Sequence, residues 1–211
     1  MPNKVILFND IVESSKLLLK HDKKYIKMLK KLFLVVSKFA EETNGILVKN
    51  MGDAFLLAFD NMDDCLKFVE KMLRYTVVNK LSLGRNNSDL VRFRTGIFQG
   101  DVYKLKYRLQ NKELFDYFGN TVNTASRLES NVSPRGGFAI GASSKNIGRI
   151  TESIKKRFGD KIKIDYFVFK KKCGRMSKKC KSDKDIKGVK KNIKVITGKL
   201  IAKKKKSKKN N

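Results

Sequence analysis

Val48-Lys49-Asn50-Met51-Gly52-Asp53-Ala54-Phe55 reads as a strand, a tight turn and a second strand, with a carboxylate at the bend. Ile46 and Val48 lead into the turn and the apolar run Ala54 to Phe59 leaves it. Upstream, Leu18, Tyr25, Leu29, Leu32, Phe33, Val36 and Phe39 recur at helical spacings, and Asn44-Gly45 supplies the stop. Further back, Val5 to Phe8 is a short apolar run that suits a buried strand and delivers Asn9 and Asp10 at its end. Downstream, Asp60 to Lys80 is again helical, and Arg92 to Val102 alternates as a strand that contains Gly96 and Gly100. Phe115 to Phe118 is a short aromatic strand closed by Gly119, after which Asn120 caps a helix running to about Asn131. Gly136-Gly137 then breaks the chain, and Phe138 to Ile140, Ile162 to Phe169 and Asn192 to Ile201 supply more strands. Helices alternating with hairpins predict an α+β fold, a sheet covered by helices.

The 211 residues suffice for one ordinary domain, and a hydrophobic content of 41% is enough for a real core despite a net charge of +29. The charge is uneven: from Lys145 onward there are 26 basic and 5 acidic residues. Two stretches carry much of that excess, the run 170–185 and the lysine-rich tail that ends the chain. Such a tail is expected to be disordered and to attract an anionic partner, nucleic acid or lipid, only weakly and without sequence preference. His21 is the single histidine, so a His-rich metal cage is excluded. Three cysteines without a CxxC pair indicate neither a disulfide framework nor a zinc site, and a reducing cytoplasm is the expected setting. The longest apolar runs are too short to span a bilayer.

Asp10 and Asp53 fall at a strand end and at the bend of a neighbouring hairpin, so they could converge. Two carboxylates that leave most of a coordination sphere open suit Mg²⁺ when nucleotide phosphates supply the other ligands. Taken singly, each reads first as an ordinary turn or strand-end Asp. Asn123 and Arg127 stand four apart and leave one helix face together, while Val122, Ala125 and Leu128 can take the core. An amide beside a guanidinium could orient a sugar oxygen and neutralise a transferring phosphoryl group, or simply be a solvated helix face.

Taken in order, Phe8 to Val12, Val48 to Phe55, Phe93 to Ile97 and Asp116 to Glu129 resemble the class III adenylate/guanylate cyclase catalytic domain. Ile186-Lys187-Gly188-Val189 resembles the Lys-Gly loop near that domain's end. The likeness runs from about residue 4 to 201, so residues 1–201 are expected to form the catalytic domain and 202–211 its tail. It implies a ferredoxin-like βαββαβ core with extra C-terminal strands. It also implies that Asp10 and Asp53 hold two Mg²⁺ or Mn²⁺ ions per site, that Asn123 orients the ribose, and that Arg127 stabilises charge on the α-phosphoryl group. Arg94 and Lys187 would hold the remaining phosphates. Lys49 and Asp116 occupy the purine-reading positions: lysine can donate to adenine N1 and a carboxylate can accept from N6, whereas guanine opposes both. ATP is thus the expected substrate and cyclic AMP with pyrophosphate the products.

Members of that family build each site across a homodimer interface. Asp10, Asp53 and Arg94 would come from one chain, and Lys49, Asp116, Asn123, Arg127 and Lys187 from the other. The chain departs from the pattern in two places. Glu13-Ser14-Ser15 replaces a sequence such as Gly-Phe-Thr beside the phosphates, and 170–185 looks like a basic insertion in a shorter hairpin. Three alternatives stay open at this stage: a cyclase for GTP or a pyrimidine nucleotide, a non-catalytic cyclase-like nucleotide-binding or interaction module, and a nucleic-acid binder.

Overall fold

A computed structural model describes residues 1–85, 88–142, 146–169 and 193–200, without the side chains of 167–169. Lys187, the insertion 170–185 and the tail 202–211 lie outside the described residues. The elements run β1 (Asn3–Ile11), α1 (Ser14–Glu41), β2 (Ile46–Met51), β3 (Ala54–Phe59), α2 (Met62–Leu73), β4 (Phe93–Asp101), β5 (Tyr103–Leu109), β6 (Lys112–Phe118), α3 (Asn120–Asn131), β7 (Gly137–Ala142), α4 (Ile147–Phe158), β8 (Ile162–Phe169) and β9 (Ile193–Leu200). Seven strands form one sheet in the order β2-β3-β1-β4-β7-β9-β8. Its first four strands with α1 and α2 make the expected ferredoxin-like βαββαβ unit, and β7, β9 and β8 extend it. Only β4 and β7 pair in parallel among these neighbours.

The alternation of β1 divides two cores. Val5, Leu7 and Ile11 face α1, α2 and α4, where Tyr25, Leu32, Val36, Phe68 and Ile154 bury their side chains. Ile6 turns the other way and packs with Leu56, Tyr117 and Ala125, under β6 and α3. On that second side α3 lies close to the sheet because Gly96 has no side chain. A Cβ there would stand 2.1 Å from the Ala125 carbonyl oxygen and 2.2 Å from the Glu129 amide nitrogen.

Several local expectations shift. Leu18 is exposed and Leu17 is buried in its place, because His21 has non-helical dihedrals (φ −136°, ψ 27°) and breaks the phase of α1. The helix cap before α3 is Gly119 at φ 125°, and Asn120 is the first helical residue. Asp60 to Lys80 is α2, capped by the Asn61 side chain accepting from the Asp64 amide at 2.9 Å, followed by a π-helical turn at Arg74–Val78. Helix α4 went unpredicted although Ile150, Ile154 and Phe158 recur every four residues on its buried face. So did β5, which pairs with β6 as a separate two-stranded ribbon.

Candidate active site

Asp10 lies within β1, one residue from its end, and its register partner across the antiparallel pair is Arg94 of β4. The register therefore sets carboxylate against guanidinium, and Arg94 Nη2 donates to Asp10 Oδ2 at 3.0 Å. One position along, buried Asn9 accepts a 3.0 Å hydrogen bond from the Thr95 hydroxyl. Asp53 stands in the two-residue turn between β2 and β3, where Met51 pairs with Ala54 and Gly52 takes φ 71°. Since Asn9 pairs with Phe55, that bend falls beside the end of β1. Burial raises the Asp10 carboxyl above its ordinary range, and the neighbouring Asp53 charge adds to the rise against the opposing Arg94. The two aspartates do converge.

This pair fits divalent ions. Two partly desolvated carboxylates repel one another, and Asp53 Oδ2 is buried without a hydrogen-bond partner, which is the costly state a cation relieves. No cluster of three or more His, Cys, Asp or Glu ligands occurs among the described residues, so most of any coordination sphere there would be left to substrate oxygens and water.

Two further residues join the aspartates without having been singled out in the sequence. Tyr25, a buried α1 residue read only as core, points its hydroxyl toward Ser14 and Asp53. Burial, with the Asp53 and Asp10 charges, pushes that hydroxyl up to about 12, so it stays protonated. Glu129 of α3 is buried with its Oε1 3.0 Å from Arg94 Nε. Arg94 is thus engaged by two carboxylates of its own chain rather than standing free for phosphate. The signal for Glu129 was its place two residues after Arg127; nothing in the sequence shows that Gly96 lets it reach Arg94.

Burial pushes the Glu129 carboxyl up to about 7, Arg94 opposing and the Asp10 charge assisting. The folded chain then holds a proton that the unfolded chain, titrating near 4.5, gives up earlier. This contribution to stability is whole below about pH 4.5 and is lost as pH rises through about 7. Relative to Glu129→Gln, the wild-type melting temperature should fall progressively between those limits. A constant difference across that window would contradict the assignment.

Lys49 and Asp116 also meet: the Lys49 ammonium donates to Asp116 Oδ2, while Asp116 Oδ1 accepts from the Tyr117 amide at 2.8 Å. A register shift between Leu47 and Lys49 in β2 re-aims the lysine toward β6, and its ammonium lies 6.0 Å from the Phe118 ring centre. Asn123 is exposed and Arg127 half-buried on α3, and neither side chain has a hydrogen bond or ion pair among the described residues. No hydrogen bond or ion pair there joins either residue to Asp10 or Asp53. Glu13, left-handed at φ 55°, ends at the surface with its carboxylate ion-paired to Lys16 at 2.7 Å and Arg135 at 2.9 Å. His21 packs against Asp89, with 2.9 Å between Nε2 and Oδ2, and takes no part. No described helix is long and apolar enough to cross a membrane.

Residues 2–177 match the family model described as the adenylate and guanylate cyclase catalytic domain. No curated protein matches the chain. Among solved structures, the guanylate cyclase domain of RhGC from Catenaria anguillulae in complex with GTP is similar at TM-score 0.65 and 18% identity, covering 94% of this chain and 97% of that one. The adenylyl cyclase CyaB from P. aeruginosa is similar at TM-score 0.67 and 17% identity, covering 95% of each. The non-canonical dimeric guanylyl cyclase domain of the RhoGC fusion protein from the aquatic fungus Blastocladiella emersonii is similar at TM-score 0.64 and 19% identity, with 93% of this chain and 96% of that one covered. At such identities these likenesses show a common fold.

Proposed function

Because the chain belongs to the adenylate and guanylate cyclase catalytic domain family, we propose that it is an adenylate cyclase, converting ATP to 3′,5′-cyclic AMP and pyrophosphate. The observation that carries the choice of base is the Lys49–Asp116 contact, which sets one donor and one acceptor side by side between β2 and β6. Adenine presents an acceptor at N1 next to a donor at N6, so both side chains can pair with one edge. Guanine presents the reverse.

Asp10 and Asp53 would hold two divalent ions, Mg²⁺ or Mn²⁺, which would supply Lewis-acid activation of the ribose 3′-hydroxyl and charge neutralisation at the phosphates. The 3′-hydroxyl loses its proton to water, its oxygen forms a bond to the α-phosphorus, and the bond from that phosphorus to the pyrophosphate oxygen breaks. Asn123 fixes the ribose, Arg127 stabilises charge on the α-phosphoryl group, and Lys187 holds the remaining phosphates, joined by Arg94 Nη2 once Asp10 releases it. Incubating the protein with each of the four ribonucleoside triphosphates and Mn²⁺, then weighing the products, tests reaction and base together. A linear product, or a cyclic product from another base in preference, would refute it.

A homodimer completes the site in this reading. Among the described residues the side chains of Asn123 and Arg127 have no hydrogen-bond or ion-pair partner, as half-sites completed by a second copy would leave them. The β5–β6 ribbon offers a surface for assembly. Tyr103, Leu105, Tyr107 and Leu109 fall on one face with Leu114 and Phe118, which are register partners of Tyr107 and Tyr103, and all six are exposed. Leu105→Lys with Leu109→Lys should give a folded monomer with little turnover, read by light scattering beside the activity assay. Full turnover from a monomer would rule out the shared site.

A further inference from the structure

Arg94 is divided between two carboxylates. Its Nη2 donates to Asp10 at 3.0 Å, whereas its Nε stands 3.0 Å from Glu129 Oε1 without an aligned hydrogen bond. The bond to Asp10 is made and the contact with Glu129 is only poised. Glu129 is buried, and it reaches Arg94 because the missing Cβ of Gly96 lets α3 settle on β4. A guanidinium on Asp10 competes with any divalent ion there, since both draw on the same carboxylate and their charges repel. Arg94 is itself only about a third exposed, so leaving Asp10 with no other anion to meet would strand a largely desolvated cation.

We propose that Glu129 is a positioning residue that receives Arg94 when Asp10 turns to the metal, so that α3 sets how readily the carboxylate pair is loaded. The proposal rests on Asp10 and Asp53 being the metal carboxylates. It follows that Glu129→Gln, which keeps shape and removes charge, leaves Asp10 as the only carboxylate Arg94 meets in this cluster. Metal would then have to break that pair without compensation. Because a charge-assisted hydrogen bond contributes enough to change an equilibrium roughly tenfold, Mn²⁺ affinity should fall about tenfold. Removing the competitor as well should restore it.

The test is Mn²⁺ binding to the full chain at pH 8, followed by electron paramagnetic resonance of free Mn²⁺ with no nucleotide present. Expected are binding in the wild type, loss in Asp10→Ala, about tenfold weaker binding in Glu129→Gln, and recovery in Glu129→Gln/Arg94→Met although that double variant turns over poorly. A residue serving only the packing of α3 would give no recovery. Wild-type affinity in Glu129→Gln, or no recovery in the double variant, overturns the proposal. Undiminished binding in Asp10→Ala would instead overturn the metal assignment beneath it. Should Glu129→Gln melt below the assay temperature, Glu129→Asp, which draws the charge back by one methylene, should show a smaller loss with the same rescue, and its absence counts equally against the proposal.

Discussion

Replacing Asp10 or Asp53 by Ala is expected to lower cyclase turnover by on the order of a thousandfold or more, with the folded dimer intact. Each substitution would remove one of the two carboxylates that would hold the divalent ions, a loss the substrate's own phosphates would not make up. Stability should change little. The carboxylates sit together with Asp53 Oδ2 buried and unpartnered, so Asp53→Ala removes a repulsive, desolvated charge and should melt no lower than wild type. Asp10→Ala leaves Arg94 its contact with Glu129 and should cost little. Calorimetry beside product formation separates these outcomes, and metal-dependent turnover surviving in both variants would refute the assignment. The same variants test the assembly. Asp53→Ala mixed with Arg127→Ala should regain about a quarter of wild-type turnover, because random pairing makes half the dimers mixed and each mixed dimer holds one complete site. Two inactive variants that stay inactive when demonstrably co-assembled would count against a shared site.

The residues legible in the sequence were those fixed by local rules. Gly52-Asp53 announces its hairpin through turn chemistry, and α1 through the spacing of Tyr25, Leu32 and Val36, all of which are buried. What stayed hidden depends on tertiary geometry. The pairing of Asp10 with Arg94 is a matter of strand register across 84 residues, and that of Glu129 with Arg94 depends on how closely a helix approaches Gly96. No window of sequence contains either relation. The β5–β6 ribbon went partly unread for another reason: Tyr103, Leu105, Tyr107 and Leu109 alternate as a strand should, but amid Lys104, Lys106 and Arg108 they resemble a charged loop. In α1 the apolar period was sound until His21, where a local departure from helical dihedrals exchanged Leu18 for Leu17.

Base choice is where a small change should have the second large effect. Lys49→Glu with Asp116→Cys should move the ratio of kcat/KM for ATP to that for GTP by roughly ten- to a hundredfold toward GTP, since leaving buried polar groups unpaired costs about 1–3 kcal/mol. Glutamate can accept from guanine N1, and the thiol removes the carboxylate that would face O6. The Lys49–Asp116 contact adds a requirement that residue types alone do not carry. Lys49 and Asp116 neutralise each other, and Asp116 is the buried member, so Lys49→Glu alone would set two carboxylates together and should cost both activity and stability. The pair has to be exchanged jointly, and the double variant should be more active with GTP than either single variant. Asp116→Cys also gives up the hydrogen bond from the Tyr117 amide at 2.8 Å, so a loss of overall turnover is expected beside the shift in ratio. Measured on folded dimer with saturating Mn²⁺, an unchanged ATP-to-GTP ratio would show that these two residues do not read the base, and would return the choice among purine and pyrimidine nucleotides to experiment.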